Sequence, residues 1–195
     1  GTVMAMESVP ADATALLEGA GATVEAVQGF NLPFLLFNTT KAPFDDPQVR
    51  QAFFYAIDVE KLIQNALSGQ ATPATSFLPE THANYNEAST VFTYDPAKSE
   101  ELLAAAGVSD LSITLLTTDH PWITALSPQI KNDLEAVGIS VEIEALASSA
   151  LYADNLDVDN FTFDVALAPG DPSVFGADPD LLMNWWYGDN VWTQK

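Results

Sequence analysis

The stretch "LSITLLTTDHPWITALSPQIKNDLEAVGISVEIEA", Leu111 to Ala145, decides the fold. Leu111, Ile113 and Leu115 alternate as in a strand. A helix is expected roughly over 122–137, with a restart point at Ser127-Pro128 and a stop at Gly138. Beyond it Ile139, Val141 and Ile143 fall on one face and Ser140, Glu142 and Glu144 on the other, the period of a second strand. Strand, helix and strand within about 35 residues make a βαβ unit, which is parallel and right-handed.

Working outward, the same punctuation recurs. Asp95-Pro96 opens a helix that closes at Gly107. "DPQVRQAFFYAIDVEKLIQNALSG" reads as one long helix: Asp46 is the N-cap, Pro47 suits the first helical position, and Gly69 ends it in a left-handed cap. A short helix is expected at 10–18, strands at "TVEAV" and "LPFLLFN", a loop over 70–94, a helix near 147–155 and a last strand in "FTFDVALA". Asp178-Pro179 followed by "DLLMNWW" reads as another capped helix.

Composition bounds the function. The 195 residues are 48% apolar, enough for a packed core. Six basic side chains stand against 27 acidic ones, a net charge of −21, which repels nucleic acid and anionic membrane surfaces. No cysteine is present, so there is no disulfide framework, thiol nucleophile or zinc-thiolate site. His82 and His120 are the only histidines, and neither has a second ligand at zinc spacing, so no metal site and no cofactor are expected. Phosphate loops, nucleophile elbows and HExxH motifs are also missing, so the chain is not read as an enzyme. A hydrolase working through paired carboxylates is the alternative from another class, because 27 acids offer many pairs.

Three ordered motifs carry a resemblance. "LLFNTTKAPFDDPQVRQAFFYAIDVEKLIQNALSGQATPA" presents Phe37, Asn38, Pro43, Phe44, Asp46, Val49, Arg50, Ala52, Ala56, Ile57 and Asp58. "YDPAKSEELLAAAGV" and "IKNDLEAVGISVEIE" follow in order. Together they resemble the family 5 extracytoplasmic solute-binding proteins, the dipeptide, oligopeptide and nickel receptors of ABC importers. The resemblance implies an α/β fold: a periplasmic-binding-protein type 2-like lobe with a mixed, largely parallel sheet flanked by helices. It implies that residues 1–30 are the tail of a preceding lobe and the hinge approach. Residues 31–195 would be the second ligand-binding lobe, lacking its C-terminal return.

The function implied is capture of peptides or similar small solutes in an interlobe cleft and their delivery to a membrane permease. Oligosaccharides and nickel chelates remain open as cargo. The protein would be a monomer, outside the cytoplasm, in the periplasm or lipid-anchored at the outer face of the cell membrane. In peptide-binding members the strand leaving the lobe pairs with the ligand backbone, and an aspartate just after it receives the ammonium group. The matching positions are Ala168, Pro169, Gly170 and Asp171. Asp171-Pro172 reads equally well as a turn. Trp185 and Trp186, beside Tyr187, are candidate pocket-lining side chains, although aromatics at this spacing more often belong to a core.

Asn38, Asp46, Arg50 and Asp58 are read as structural members of the first motif. Arg50 is the only arginine and lies four residues after Asp46, so the two can pair on a helix surface, with Asp45 and Asp58 as other partners. Its helix has core positions on both sides, which favours a scaffold role over a ligand anchor.

Overall fold

The computed structural model describes residues 4–7, 9–27, 29–155, 162–170 and 178. Four strands form an open mixed sheet: β1 (Leu32–Phe37), β2 (Ser112–Thr118), β3 (Ser140–Leu146) and β4 (Val165–Gly170), in the order β1-β4-β2-β3. β2 runs parallel to both β3 and β4, whereas β1 is antiparallel to β4. The expected parallel βαβ unit is therefore β2 to β3, and its helical part does restart: α5 (Pro121–Thr124) precedes α6 (Ser127–Ala136).

The remaining helices are α1 (Thr14–Gly19), α2 (Pro47–Ala56), α3 (Val59–Ala66), α4 (Pro96–Ala105) and α7 (Ser148–Ala150), the last running into a π-helical turn (Leu151–Asn155). Asp46 and Asp95 cap α2 and α4 as expected, accepting from the amides of Gln48 (2.8 Å) and Lys98 (2.9 Å). Gly107 and Gly138 take left-handed φ values of 69° and 87° after their helices, conformations that cost a side chain but not a glycine.

Strand alternation sorts the core into two layers. Leu35, Phe37, Ile113, Leu115, Val141, Ile143, Val165 and Leu167 face α2, α4, α5 and α6 through Phe53, Leu103, Ile123, Ile130 and Leu134. On the reverse face Leu36, Leu116, Leu146 and Ala166 pack with Leu151 of the π turn and with Phe163. The crossover from β2 to β3 thus lies on one face, and the crossover from β3 back to β4 on the other.

Three expectations are corrected. The long helix over 46–69 breaks at Ile57-Asp58, because the Asp58 carboxylate accepts the Lys61 amide (3.0 Å) and starts a new helix. The buried carboxylate of Asp133 takes the Asp58 amide itself (3.1 Å), tying this break to α6. "TVEAV" is not a strand: among the described residues no neighbour pairs with it, and Val27 is 87% exposed. β4 begins at Val165, later than "FTFDVALA" suggested. The helix expected after Asp178 lies outside the described residues.

Candidate functional site

In an open α/β sheet, ligands bind beyond the carboxyl ends of parallel strands, where successive crossovers leave to opposite faces. Here that place lies between β2 and β4. Their ladder stops at Thr117↔Leu167, although β4 continues to Gly170 and β2 to Thr118. The two strands part there, and Ala168, Pro169 and Gly170 project past the last shared rung.

The chemistry of that edge follows from two prolines. Pro33 of β1 stands opposite Pro169 of β4. The Asn38 amide donates to the Asp164 carbonyl (3.1 Å), which puts even-numbered residues of both strands in hydrogen-bonded positions. Pro33 and Pro169 therefore occupy a position where neither has to donate to the other. The Pro169 carbonyl turns away from β1 toward the side that β2 has left. Since proline has no N–H, this position presents an acceptor and no donor.

Two further side chains converge on the same end. Tyr152, on the π turn, sets its hydroxyl 3.5 Å from the Pro169 carbonyl, and burial raises its phenol pKa above the usual value. Thr118 is completely buried, and among the described residues its hydroxyl has no hydrogen-bond partner. Its neighbour Thr117 donates to the Thr118 carbonyl (3.2 Å), and His120 starts α5 with its carbonyl accepting from the amides of Ile123 and Thr124 (3.0 Å each). The wall on the β1 side is aromatic: Phe34 lies over Gly170 and stacks on Phe77 from the long loop, with centroids 5.6 Å apart.

The opposite end of β4 is a clamp. The buried Asn38 donates through Nδ2 to the Phe163 carbonyl (3.0 Å), while its Oδ1 accepts from the hydroxyl (2.6 Å) and amide (3.2 Å) of Thr40. Lys41 pairs with Asp164, whose other oxygen accepts the Thr114 amide (3.3 Å). Arg50 belongs to the same scaffold. Its Nη1 donates to the Phe44 carbonyl at 2.5 Å, and among the described residues no carboxylate lies within ion-pair distance of it. The expected partners Asp45, Asp46 and Asp58 do not reach it, because Asp46 and Asp58 are engaged as helix caps.

Of the candidate ligand-binding residues, Ala168, Pro169 and Gly170 thus come together at the end of β4. Asp171, Trp185 and Trp186 lie outside the described residues. Thr118, Tyr152, Phe34 and Phe77 join the site without having been singled out from sequence. Among the described residues no three His, Asp or Glu side chains gather as metal ligands, and no helix is long and apolar enough to cross a membrane.

The comparisons agree with this architecture. The glutathione-binding protein GsiB of Salmonella choleraesuis is 37% identical over 123 residues, covering 62% of this chain and 24% of that protein. A dipeptide-binding protein of Pseudomonas aeruginosa is 32% identical over 140 residues, covering 69% and 26%. The chain therefore spans about a quarter of the length of these relatives. Among solved structures, the ABC transporter substrate-binding protein CtaP of Listeria monocytogenes superposes with a TM-score of 0.84 at 22% identity, over 94% of this chain and 38% of that one. DppA of Helicobacter pylori, in complex with the peptide STSA, gives 0.75 at 26% identity, over 90% and 34%. The model of the bacterial extracellular solute-binding proteins, family 5 (middle) matches residues 1–194, and the chain belongs to that family.

Proposed function

We propose that this chain supplies one wall of the cargo cleft in the substrate-binding component of an ABC importer, with peptides or similar small solutes as cargo. In this reading residues 31–195 form one ligand-binding lobe and residues 1–30 lead into it from the hinge. The protein works outside the cytoplasm, free or lipid-anchored, as a monomer that hands its cargo to a membrane permease. It binds without transforming.

The observation that carries the reading is the unpaired edge of β4 past Leu167. A peptide laid against it meets the Pro169 carbonyl as a fixed acceptor, and backbone hydrogen bonding of this kind tolerates varied side chains. The Phe34–Phe77 pair adds an apolar wall next to it. Family membership and relatives named for dipeptides and glutathione support the same cargo class.

Native mass spectrometry of the complete gene product from its own host tests the reading. Adducts of peptide mass, together with a rise in melting temperature when a peptide mixture is added back, are expected. Hydrolysis of the added peptides, or no shift with any of them, would overturn it.

A further inference from the structure

We propose that Tyr152 is a specificity-determining contact of this cleft: its hydroxyl, steadied by the Pro169 carbonyl, accepts an N–H from the cargo in the gap beyond Leu167. The inference rests on the receptor reading above and concerns a residue outside the motifs of the first subsection.

Placement comes first. Leu151 is wholly buried against the reverse face of the sheet and anchors the π turn. Tyr152 follows it directly and is 38% exposed, with its hydroxyl 3.5 Å from the Pro169 carbonyl. π-helical turns are rare and occur often at functional sites. Here Tyr152 is the residue of that turn whose side chain reaches the end of β4.

Chemistry comes second. A phenol is both donor and acceptor. A tyrosine phenol is protonated at neutral pH, and burial raises its pKa further, so the hydroxyl can donate to the Pro169 carbonyl. With that proton spent, the oxygen offers only lone pairs to the cleft. At 3.5 Å the contact is at the outer limit of a hydrogen bond. Long hydrogen bonds at ligand sites often shorten in the complex, and this one is expected to do so when cargo binds. The Pro169 carbonyl and the Tyr152 oxygen then form an acceptor pair, which selects cargo carrying amide or amine N–H groups. A purely structural tyrosine would need only its ring, which phenylalanine supplies equally well.

The test compares the complete wild-type gene product with Tyr152→Phe. The probes are tri-alanine and three analogues, each lacking one donor group: the desamino form, without the terminal ammonium, and the two single ester replacements, each without one amide N–H. For the wild type, one analogue is expected to bind about fivefold more weakly than tri-alanine, the worth of one hydrogen bond. In Tyr152→Phe, tri-alanine weakens by about the same factor, the gap to that analogue closes, and the melting temperature is unchanged. Unaltered affinity for tri-alanine, or an equal loss for all four probes, would overturn the role of the hydroxyl while leaving the receptor reading intact. If wild type binds none of the four, the peptide reading itself fails, and this inference with it.

Discussion

Phe34 occupies the space that a side chain at residue 170 would need: a Cβ built on Gly170 would stand 1.7 Å from Phe34 Cε2 and 2.5 Å from its Cζ. The ring cannot easily withdraw, since it is stacked on Phe77 at 23° between planes. Gly170→Ala should therefore destabilise the fold by about 1–3 kcal/mol, the usual cost of overpacking. In a domain of this size that is a fall of roughly 2–4 °C in Tm per kcal/mol. Pairing it with Phe34→Leu should recover part of the loss, and strict additivity of the two substitutions in thermal unfolding would contradict the contact.

Arg50 donates to the carbonyl of Phe44, a residue that is fully buried. Arg50→Lys keeps the charge but loses the planar fork that aims Nη1. A loss of about 1.5–3 kcal/mol is expected, the range for a hydrogen bond that involves a charged group. Differential scanning calorimetry should register it. Peptide affinity of the complete gene product should stay within twofold of wild type, and a large affinity loss at unchanged Tm would return Arg50 to the ligand.

The hydroxyl of Thr118 is buried without a partner among the described residues, so the native state bears its desolvation without compensation. Thr118→Val keeps the branched shape and removes the orphan group. Stability should rise by about 1 kcal/mol in chemical denaturation. A loss of stability would show that the hydroxyl is satisfied in solution, for instance by a bound water.

Local signals made much of this fold legible. The alternation in β2 and β3, the Asp-Pro helix starts at Asp46 and Asp95, and the stops at Gly107 and Gly138 each rest on neighbours close in sequence, and each appears in place. The misreadings involve distant residues. Asp58 looks like one more polar position on a helix until Asp133, far along the chain, captures its amide. "TVEAV" has strand composition but no partner strand among the described residues. Only the resemblance pointed to the end of β4, because nothing local announces that the β2–β4 ladder stops at Thr117↔Leu167. Tyr152 was illegible for a similar reason: its turn owes its place to Leu151 packing on a sheet assembled from four separate segments.

The facing prolines have one more effect. An outer strand invites a neighbouring molecule to zip onto its free amides and carbonyls. Among the described residues β1 is an outer strand, and Pro33 sits in it at a position directed away from β4, so at that level it has no amide to give an incoming strand. On the far border, β3 displays Glu142 and Glu144, whose like charges discourage stacking of copies. These two features work against strand-to-strand stacking of copies of this lobe at both borders of the described sheet.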